Sequence, residues 1–383
     1  MKILDQADIK DGTRVLLRAD FNVAVQNGKV VDDFRIRKTL PTLDFLKEKG
    51  ANVVMVSHIE NAAGVEGKAT LKPVVETLNS LGFPCDFAET IEEAAKKSAG
   101  QRAGFVLLEN IRNYPGEAAN DSAFTKQLAT LGDIYINDAF SVSHRAHASI
   151  VGVPKLLPHF AGFQLALEVK NLSLAFDPSH PFLFILGGAK FDTKLPLVNR
   201  FLGKADDIFI GGALANDFFK AKGFEVGRSI VSSAAIDFGD LLSNKKIILP
   251  VDVVADSGGG QKVLVPDKVS KDEKILDAGP ATLVFLKGKI DTAKFILWNG
   301  PLGNYENGYK EPTHELARMI AYATRRGAKS VVGGGDTLAA IAELKQTSGE
   351  SLEDSFTFVS TGGGAMLDFL AQGTLVGIDA LNA

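Results

Sequence analysis

The sequence predicts an α/β protein with parallel sheets, divided into two domains. Three observations carry that expectation. At 383 residues the chain is too long for one comfortable core. Short runs such as Phe182–Leu186 are apolar at every position, as strands buried on both faces of a parallel sheet are. These runs alternate with segments of helical periodicity, the order of a βα protein.

Composition narrows the function classes. With 45% hydrophobic and 23% charged residues, the chain reads as an ordinary soluble protein. A net charge of −4 offers nothing global to nucleic acid or an anionic membrane, so an anionic ligand must be met by locally gathered cations. The single cysteine, Cys85, excludes an internal disulfide and a thiolate metal cluster; it reads as a small buried apolar residue of a reducing compartment. The opening residues carry acids where a signal peptide needs its apolar run, and no apolar stretch approaches a membrane span. A cytoplasmic protein is expected.

In chain order, Val15-Leu-Leu-Arg-Ala-Asp-Phe-Asn22 reads as a strand that delivers Asp20 and Asn22 to its C-terminal end. Asn27-Gly28 marks a tight turn. Asp33 is placed to N-cap a helix running towards Lys49, which puts Arg35 and Arg37 in its first turn, against the dipole preference. Further strands cover residues 53–57, 105–108 and 134–136; they exit at His58, at Glu109-Asn110-Ile111-Arg112, and at Asn137-Asp138-Ala-Phe140. Amphipathic segments at 73–81 and 90–98 separate them. Open parallel sheets bind ligands where strand ends converge. That rim collects Arg35, His58, Arg112, His144, Arg145 and His147, and the chain has only six histidines. Guanidinium forks match carboxylate and phosphate, so a small phosphorylated acid suits the set. Zinc suits it less, because no matching carboxylate cluster accompanies the histidines.

Leu165, Val169, Leu172 and Phe176 fall at helical spacing before Asp177-Pro178 and read as an interdomain connector. The Phe182–Leu186 strand then ends at Gly187-Gly188, with Lys190 and Lys194 four residues apart on one face of a following helix. Such a stretch is either a phosphate-holding crevice end or a plain strand-to-helix turn with solvated lysines. More strands follow at 207–210, 246–249, 295–298, 330–332 and 356–359. Gly333-Gly-Gly-Asp336-Thr337 precedes a good helix, where exposed amides and the positive dipole end favour phosphate and Asp336 could hold magnesium. The alternative is a glycine turn with an N-capping Asp. Neither a Walker motif nor the dinucleotide fingerprint Gly-x-Gly-x-x-Gly after the first strand is present.

These stretches resemble the phosphoglycerate kinase family along the whole chain. The likeness rests on Arg18-Ala-Asp-Phe-Asn22, Asp33-Phe-Arg-Ile-Arg37, Leu108-Glu-Asn-Ile-Arg112, Asn137-Asp-Ala-Phe140 and His144-Arg-Ala-His147. In the second half it rests on Gly187-Gly-Ala-Lys190, Trp298-Asn-Gly-Pro301, Gly333-Gly-Gly-Asp-Thr337 and Ser360-Thr-Gly-Gly-Gly364. The resemblance implies two Rossmann-like three-layer lobes joined by a hinge helix. The acid-binding lobe would be residues 1–162 with the tail 366–383 packed back on it, the hinge helix 163–178, and the nucleotide-binding lobe 179–365. It further implies a monomer acting on 3-phosphoglycerate, 1,3-bisphosphoglycerate and ADP or ATP with magnesium, and no nucleic acid or membrane partner.

By the same resemblance, Asp20, Phe21, Asn22, Arg35, His58, Asn61, Arg112 and Arg145 would meet the acid substrate. Lys194, Gly211, Asn299, Glu306, Gly334, Gly335, Asp336 and Thr337 would meet the nucleotide, with Asp336 at the metal. Arg35, Lys190, Gly335 and Gly364 would serve the transferring group. One departure stands out: where the family reads Ser-His-Leu-Gly-Arg-Pro, this chain reads Ser57-His58-Ile59-Glu60-Asn61-Ala62, so a cation is lost and an acid gained. Lys68 is a candidate replacement. Ser141-Val142-Ser143 in place of Gly-Thr-Ala is a milder change. Rival expectations are a non-catalytic binder that keeps the fold, favoured by Asn61, and a nicotinamide oxidoreductase, which lacks its fingerprint.

Overall fold

The apolar runs do what their composition requires and pair into two parallel sheets, with the fully apolar ones at or near the centres. The computed structural model describes residues 1–61, 68–99, 104–189, 191–233, 236–344 and 351–383. They fall into two compact units, Met1–Lys170 with Gln372–Ala383, and Asn171–Ala371. No helix of the described residues is long and apolar enough to cross a membrane.

In the first unit, β1 (Arg14–Arg18) leads to a hairpin of β2 (Val25–Gln26) and β3 (Lys29–Val30), turned by Asn27 and Gly28, both at positive φ. Helix α1 (Phe34–Glu48), β4 (Asn52–Val56), α2 (Lys72–Ser80), β5 (Cys85–Ala88), α3 (Ile91–Ala99) and β6 (Phe105–Leu108) follow. Then come α4 (Pro115–Ala118), α5 (Ser122–Ala129), β7 (Ile134–Asn137) and β8 (His159–Ala161). The sheet order is β5-β6-β4-β1-β7-β8, parallel throughout. Val15, Leu17, Val53 and Met55 share a core with Ile36, Leu43 and Leu46 of α1 and Val74 and Leu78 of α2.

The first strand stops at Arg18, so Asp20 and Asn22 lie beyond it rather than on it. Asp33 occupies the N-cap position of α1 without capping it: its carboxylate bonds Arg37, and Asp32 Oδ1 accepts the Phe34 amide at 2.9 Å instead. Two edge strands escape the sequence reading. β5 carries the exposed Asp86, and β8 is only three residues long. Cys85 is buried on β5, its thiol pushed up to about 12 by burial.

Helix α6 (Phe163–Ser173) continues as a single 3₁₀ turn to Phe176, and the division between the units falls within it. Asp138, just past β7, anchors its start: Oδ1 accepts the amides of Gln164 and Leu165 at 2.8 and 3.1 Å. Burial pushes this carboxyl up to about 7.

The second unit holds β9 (Phe182–Leu186), α7 (Phe191–Phe201), β10 (Asp207–Ile210), α8 (Ala213–Ala221) and β11 (Ile247–Ile248). Three strands, β12 (Val253–Asp256), β13 (Gln261–Leu264) and β14 (Lys274–Ala278), form a separate antiparallel sheet that the sequence reading did not anticipate. After them come α9 (Pro280–Thr292), β15 (Phe295–Asn299), α10 (Glu311–Arg325), β16 (Lys329–Gly333), α11 (Gly335–Ala342), β17 (Phe358–Ser360) and α12 (Gly364–Gln372), while the last helix, α13 (Val376–Ala380), belongs to the first unit. The large sheet is parallel in the order β11-β10-β9-β15-β16-β17. Edge-on contacts among Phe182, Phe184, Phe201 and Phe295 pack β9 against α7 and β15. The last strand starts at Phe358, later than expected, because residues 352–355 form a 3₁₀ turn and Thr357 exchanges hydrogen bonds with Ser330.

A charged network sits inside the first unit. Arg18 is 1% exposed; its Nε donates to Ser149 Oγ at 3.0 Å and its Nη1 to the Ala19 carbonyl at 2.5 Å. Ser149 Oγ donates in turn to the buried Glu117 Oε1 at 2.6 Å. Removing that hydroxyl takes the shared partner from Arg18 Nε and Glu117 Oε1 in a buried setting. Ser149→Ala should lose about 1–3 kcal/mol of stability in urea unfolding with an unchanged denaturant slope. A variant as stable as the parent would mean the hydroxyl bridges nothing of consequence.

Candidate active site

The expected site residues fall into two groups, one at the strand exits of each unit. In the first unit Asp20 is buried and its carboxylate takes Arg35 Nη1 at 2.9 and 3.2 Å, with Ser141 Oγ donating at 2.7 Å. That pairing accounts for an arginine in the first turn of α1; Arg37 is answered by Asp33. Phe21 is fully buried, its amide on Ser57 Oγ at 2.9 Å, and Asn22 Oδ1 accepts the Glu60 amide at 3.0 Å.

His58 is buried 3.2 Å from Arg18 Nη2. A guanidinium only donates, so Nδ1 accepts and the ring proton sits on Nε2. Burial, then Arg18, Arg112, Arg145 and Arg35, hold the imidazole neutral, far below its ordinary range. Burial, then Arg112, Arg145, Arg18 and His144, pull His147 down to about 4. Arg112 follows β6 in a 3₁₀ turn capped by Asn110, whose Oδ1 accepts the Arg112 amide at 3.2 Å. Burial and the neighbouring Arg145 and Arg18 lower its guanidinium to about 10. Arg145 and Asn61 are exposed. This rim is a concentration of guanidiniums around a neutral imidazole, suited to a multiply charged anion.

In the second unit the strand exits are built from backbone. Gly187 and Gly188 donate to the carbonyls of Asn299 and Pro301, both at 2.8 Å. Gly212 has φ +61, and a Cβ there would stand 2.5 Å from the Gly188 nitrogen; at Gly300, φ +94, it would stand 2.4 Å from the Gly187 oxygen. Only glycine permits both the conformation and the approach. Asn299 is buried and donates to the Gly333 carbonyl at 3.0 Å, while Thr337 Oγ1 accepts the Gly300 amide at 2.9 Å. Gly334 precedes α11, Gly335 begins it and Asp336 stands exposed in its first turn. Gly364 begins α12 and is exposed. Lys194 is buried, its Nζ on the Gly187 carbonyl at 2.5 Å; burial lowers it to about 8, against the pull of Asp336. Lys190 lies outside the described residues.

Beside this floor opens a cavity of about 210 Å³. Phe219, Ile230, Val253, Leu276 and Leu302 form apolar walls, and Glu306 and Asp336 are polar lining groups. Gly211 is buried under Leu302, whose Cδ2 would lie 2.8 Å from a Cβ there. An apolar slot beside the exposed start of α11 has the shape and chemistry to suit a flat heterocycle with a phosphorylated tail. The sequence reading missed these walls, because Phe219 and Leu276 look like any other core residue on a helix or strand. It also missed Asp277, which is 5% exposed and lines the cavity with its carboxyl against Gly303. Its Oδ1 accepts the Ala278 amide at 2.8 Å, yet burial pushes the acid up to about 8.

A carboxyl held above its ordinary 3.8 binds its proton more tightly folded than unfolded, so its stabilising contribution is complete at low pH and is lost as pH rises through about 8. Urea unfolding between pH 5 and pH 9 should show that decline, and Asp277→Asn should flatten it. Parallel profiles for the two proteins would mean Asp277 is already ionised in the folded state.

Comparison with known proteins agrees along the whole chain. A family model described as phosphoglycerate kinase matches residues 4–373. A phosphoglycerate kinase of Dictyoglomus turgidum is 40% identical over 394 residues, covering 99% of this chain and 97% of the relative. One from Thermus thermophilus is 42% identical over 397 residues, covering 100% of both. Among solved structures, phosphoglycerate kinase from Coxiella burnetii aligns with a TM-score of 0.81 at 32% identity, over 99% of this chain and 97% of that one. The Pyrococcus horikoshii enzyme aligns with a TM-score of 0.85 at 29% identity, over 100% and 98%.

Proposed function

The chain belongs to the phosphoglycerate kinase family, and from that premise we propose which residues carry its reaction. The protein is a kinase of the glycolytic step between 1,3-bisphosphoglycerate and 3-phosphoglycerate, with a carboxyl group as phosphoryl acceptor. In our reading the basic rim of the first unit takes the phosphoglycerate through Asp20, Phe21, Asn22, Arg35, His58, Arg112 and Arg145. The second unit takes ADP or ATP through Lys194, Gly211, Asn299, Glu306, Gly334, Gly335, Asp336 and Thr337. The observation that carries this division is the apolar cavity with a backbone floor, lined by Glu306 and Asp336.

The chemistry asks little of proton transfer. In the direction that forms ATP, an oxygen of the ADP terminal phosphate attacks the acyl phosphate and 3-phosphoglycerate leaves as a carboxylate. In reverse, that carboxylate is already ionised at neutral pH, so neither direction needs a general base. What remains is alignment and charge neutralisation. Arg35 and Lys190 would meet the transferring group, with amides at Gly335 and Gly364 beside it. His58, neutral with its proton on Nε2, would donate a hydrogen bond without adding charge.

The donor set fits magnesium. Asp336 offers an exposed carboxylate in the first turn of α11, and no cluster of three or more His, Cys, Asp or Glu among the described residues would cage a metal. That suits an ion which keeps waters and phosphate oxygens and takes one or two protein carboxylates. Bound there, it would neutralise phosphate oxygens. Because one substrate is assigned to each unit, transfer would require the units to close and expel water. Asn61, exposed where the family carries arginine, would leave the acid site one cation short unless Lys68 substitutes for it.

Coupled detection of ATP formed from 1,3-bisphosphoglycerate and ADP tests the activity directly, and a pure binder would form none. Asp336→Ala should weaken magnesium nucleotide by about ten-fold or more, the scale of a lost charged ligand, and leave 3-phosphoglycerate affinity nearly intact in calorimetric titrations. Equal losses for both ligands would contradict the assignment of one substrate to each unit.

A further inference from the structure

The acids of the basic rim are unequally committed. Asp20 is spent on Arg35 and Ser141, and Glu117 on the amide and hydroxyl of Ser149. Glu60 is different. Its backbone is fixed, since its amide donates to Asn22 Oδ1 at 3.0 Å and the preceding Ile59 carbonyl accepts Asn110 Nδ2 at 2.7 Å. Its side chain, 53% exposed, reaches across to Arg112 Nη1.

Arg112 receives only part of what it can use. Nη2 is buried and has no hydrogen-bond partner among the described residues. The guanidinium also stands among other cations, which favours any anion that reaches it. Glu60 satisfies one nitrogen from a half-exposed position, where leaving costs little because water is at hand. A phosphate could engage both nitrogens in a fork, a stronger and more directional contact.

We propose that Glu60 is an internal counter-anion for Arg112, which the phosphoglycerate phosphate must displace, so that this one carboxylate sets the protein's affinity for its acid substrate. The inference rests on the assignment of Arg112 to phosphoglycerate. Glu60 then acts through Arg112 rather than on the reacting atoms. Its presence beside Asn61 makes the two neighbouring residues work in the same direction, one withholding a positive charge and the other supplying a negative one.

The test is calorimetric titration of 3-phosphoglycerate into the parent, Glu60→Gln, Arg112→Ala and the double variant, with steady-state kinetics on each. Glu60→Gln should bind about three- to five-fold more tightly at low ionic strength, the range of a half-exposed ion pair. The gain should shrink as salt screens the carboxylate. KM for 3-phosphoglycerate should fall in step while turnover changes by less than about two-fold, since a competitor of binding is removed rather than a group acting on the transition state. In the Arg112→Ala background the substitution should do nothing. Unchanged or weaker binding by Glu60→Gln, with Arg112→Ala weakening it, would overturn the inference and leave the substrate assignment standing. No loss on Arg112→Ala would instead overturn the assignment beneath it.

Discussion

Burying both faces of a parallel sheet leaves polar groups one place to go, the rim beyond the strand ends. Every residue of β9 and β15 is buried, and so are all four of β6. The first polar side chains these strands deliver are Asn299 at the end of β15 and the Glu109-Asn110 pair after β6. Each is used to fix a loop: Asn299 ties to Gly333, and Glu109 accepts the Leu71 and Asn110 amides at 2.9 and 2.7 Å. The loops held in this way carry the charged groups, so the sheet determines where chemistry can occur before any ligand is considered.

That rim concentrates like charge, and the fold manages the cost. Arg18 is wholly buried, which opposes its charge, and the network through Ser149 to Glu117 offsets the penalty. His58 stays neutral, through burial first and then the arginines around it. Arg35 and Arg37, which the helix dipole alone would disfavour, are each matched by an aspartate from outside or just before the helix. The guanidiniums are thus held in place by acids of graded accessibility, from the sealed Glu117 to the half-exposed Glu60.

Much of this was legible in the sequence because it follows local rules. Apolar runs bounded by glycine gave the central strands, Asn27-Gly28 gave the hairpin turn, and charges after apolar runs marked the rim. What escaped depends on contacts between distant residues. β5 and β8 are short edge strands whose pairing, not their composition, makes them strands. The antiparallel sheet of β12 to β14 is irregular at Val254 and Ala255, which blurs the alternation a reader would look for. Phe219 and Leu276 carry no local sign that they face a cavity rather than a core. Asp33, expected as the cap of α1, is claimed by Arg37 four residues on, and Asp32 takes the Phe34 amide instead. Asp277 gave no warning of its upward shift, which comes from burial against the pull of the Ala278 amide.

The crevice floor of the second unit is made of main chain: Gly187, Gly188, Gly212 and Gly300 meet with no side chain between them. Drift at Gly187, Gly212 and Gly300 is blocked because any side chain there collides with backbone that cannot yield. The apolar walls are ordinary side chains and can be exchanged for others of similar bulk. Evolution and engineering therefore have unequal access to the two ends of this pocket. Under the proposed assignment, preference for one heterocycle over another can be retuned by substitution, whereas the end built from main chain is inherited whole or lost.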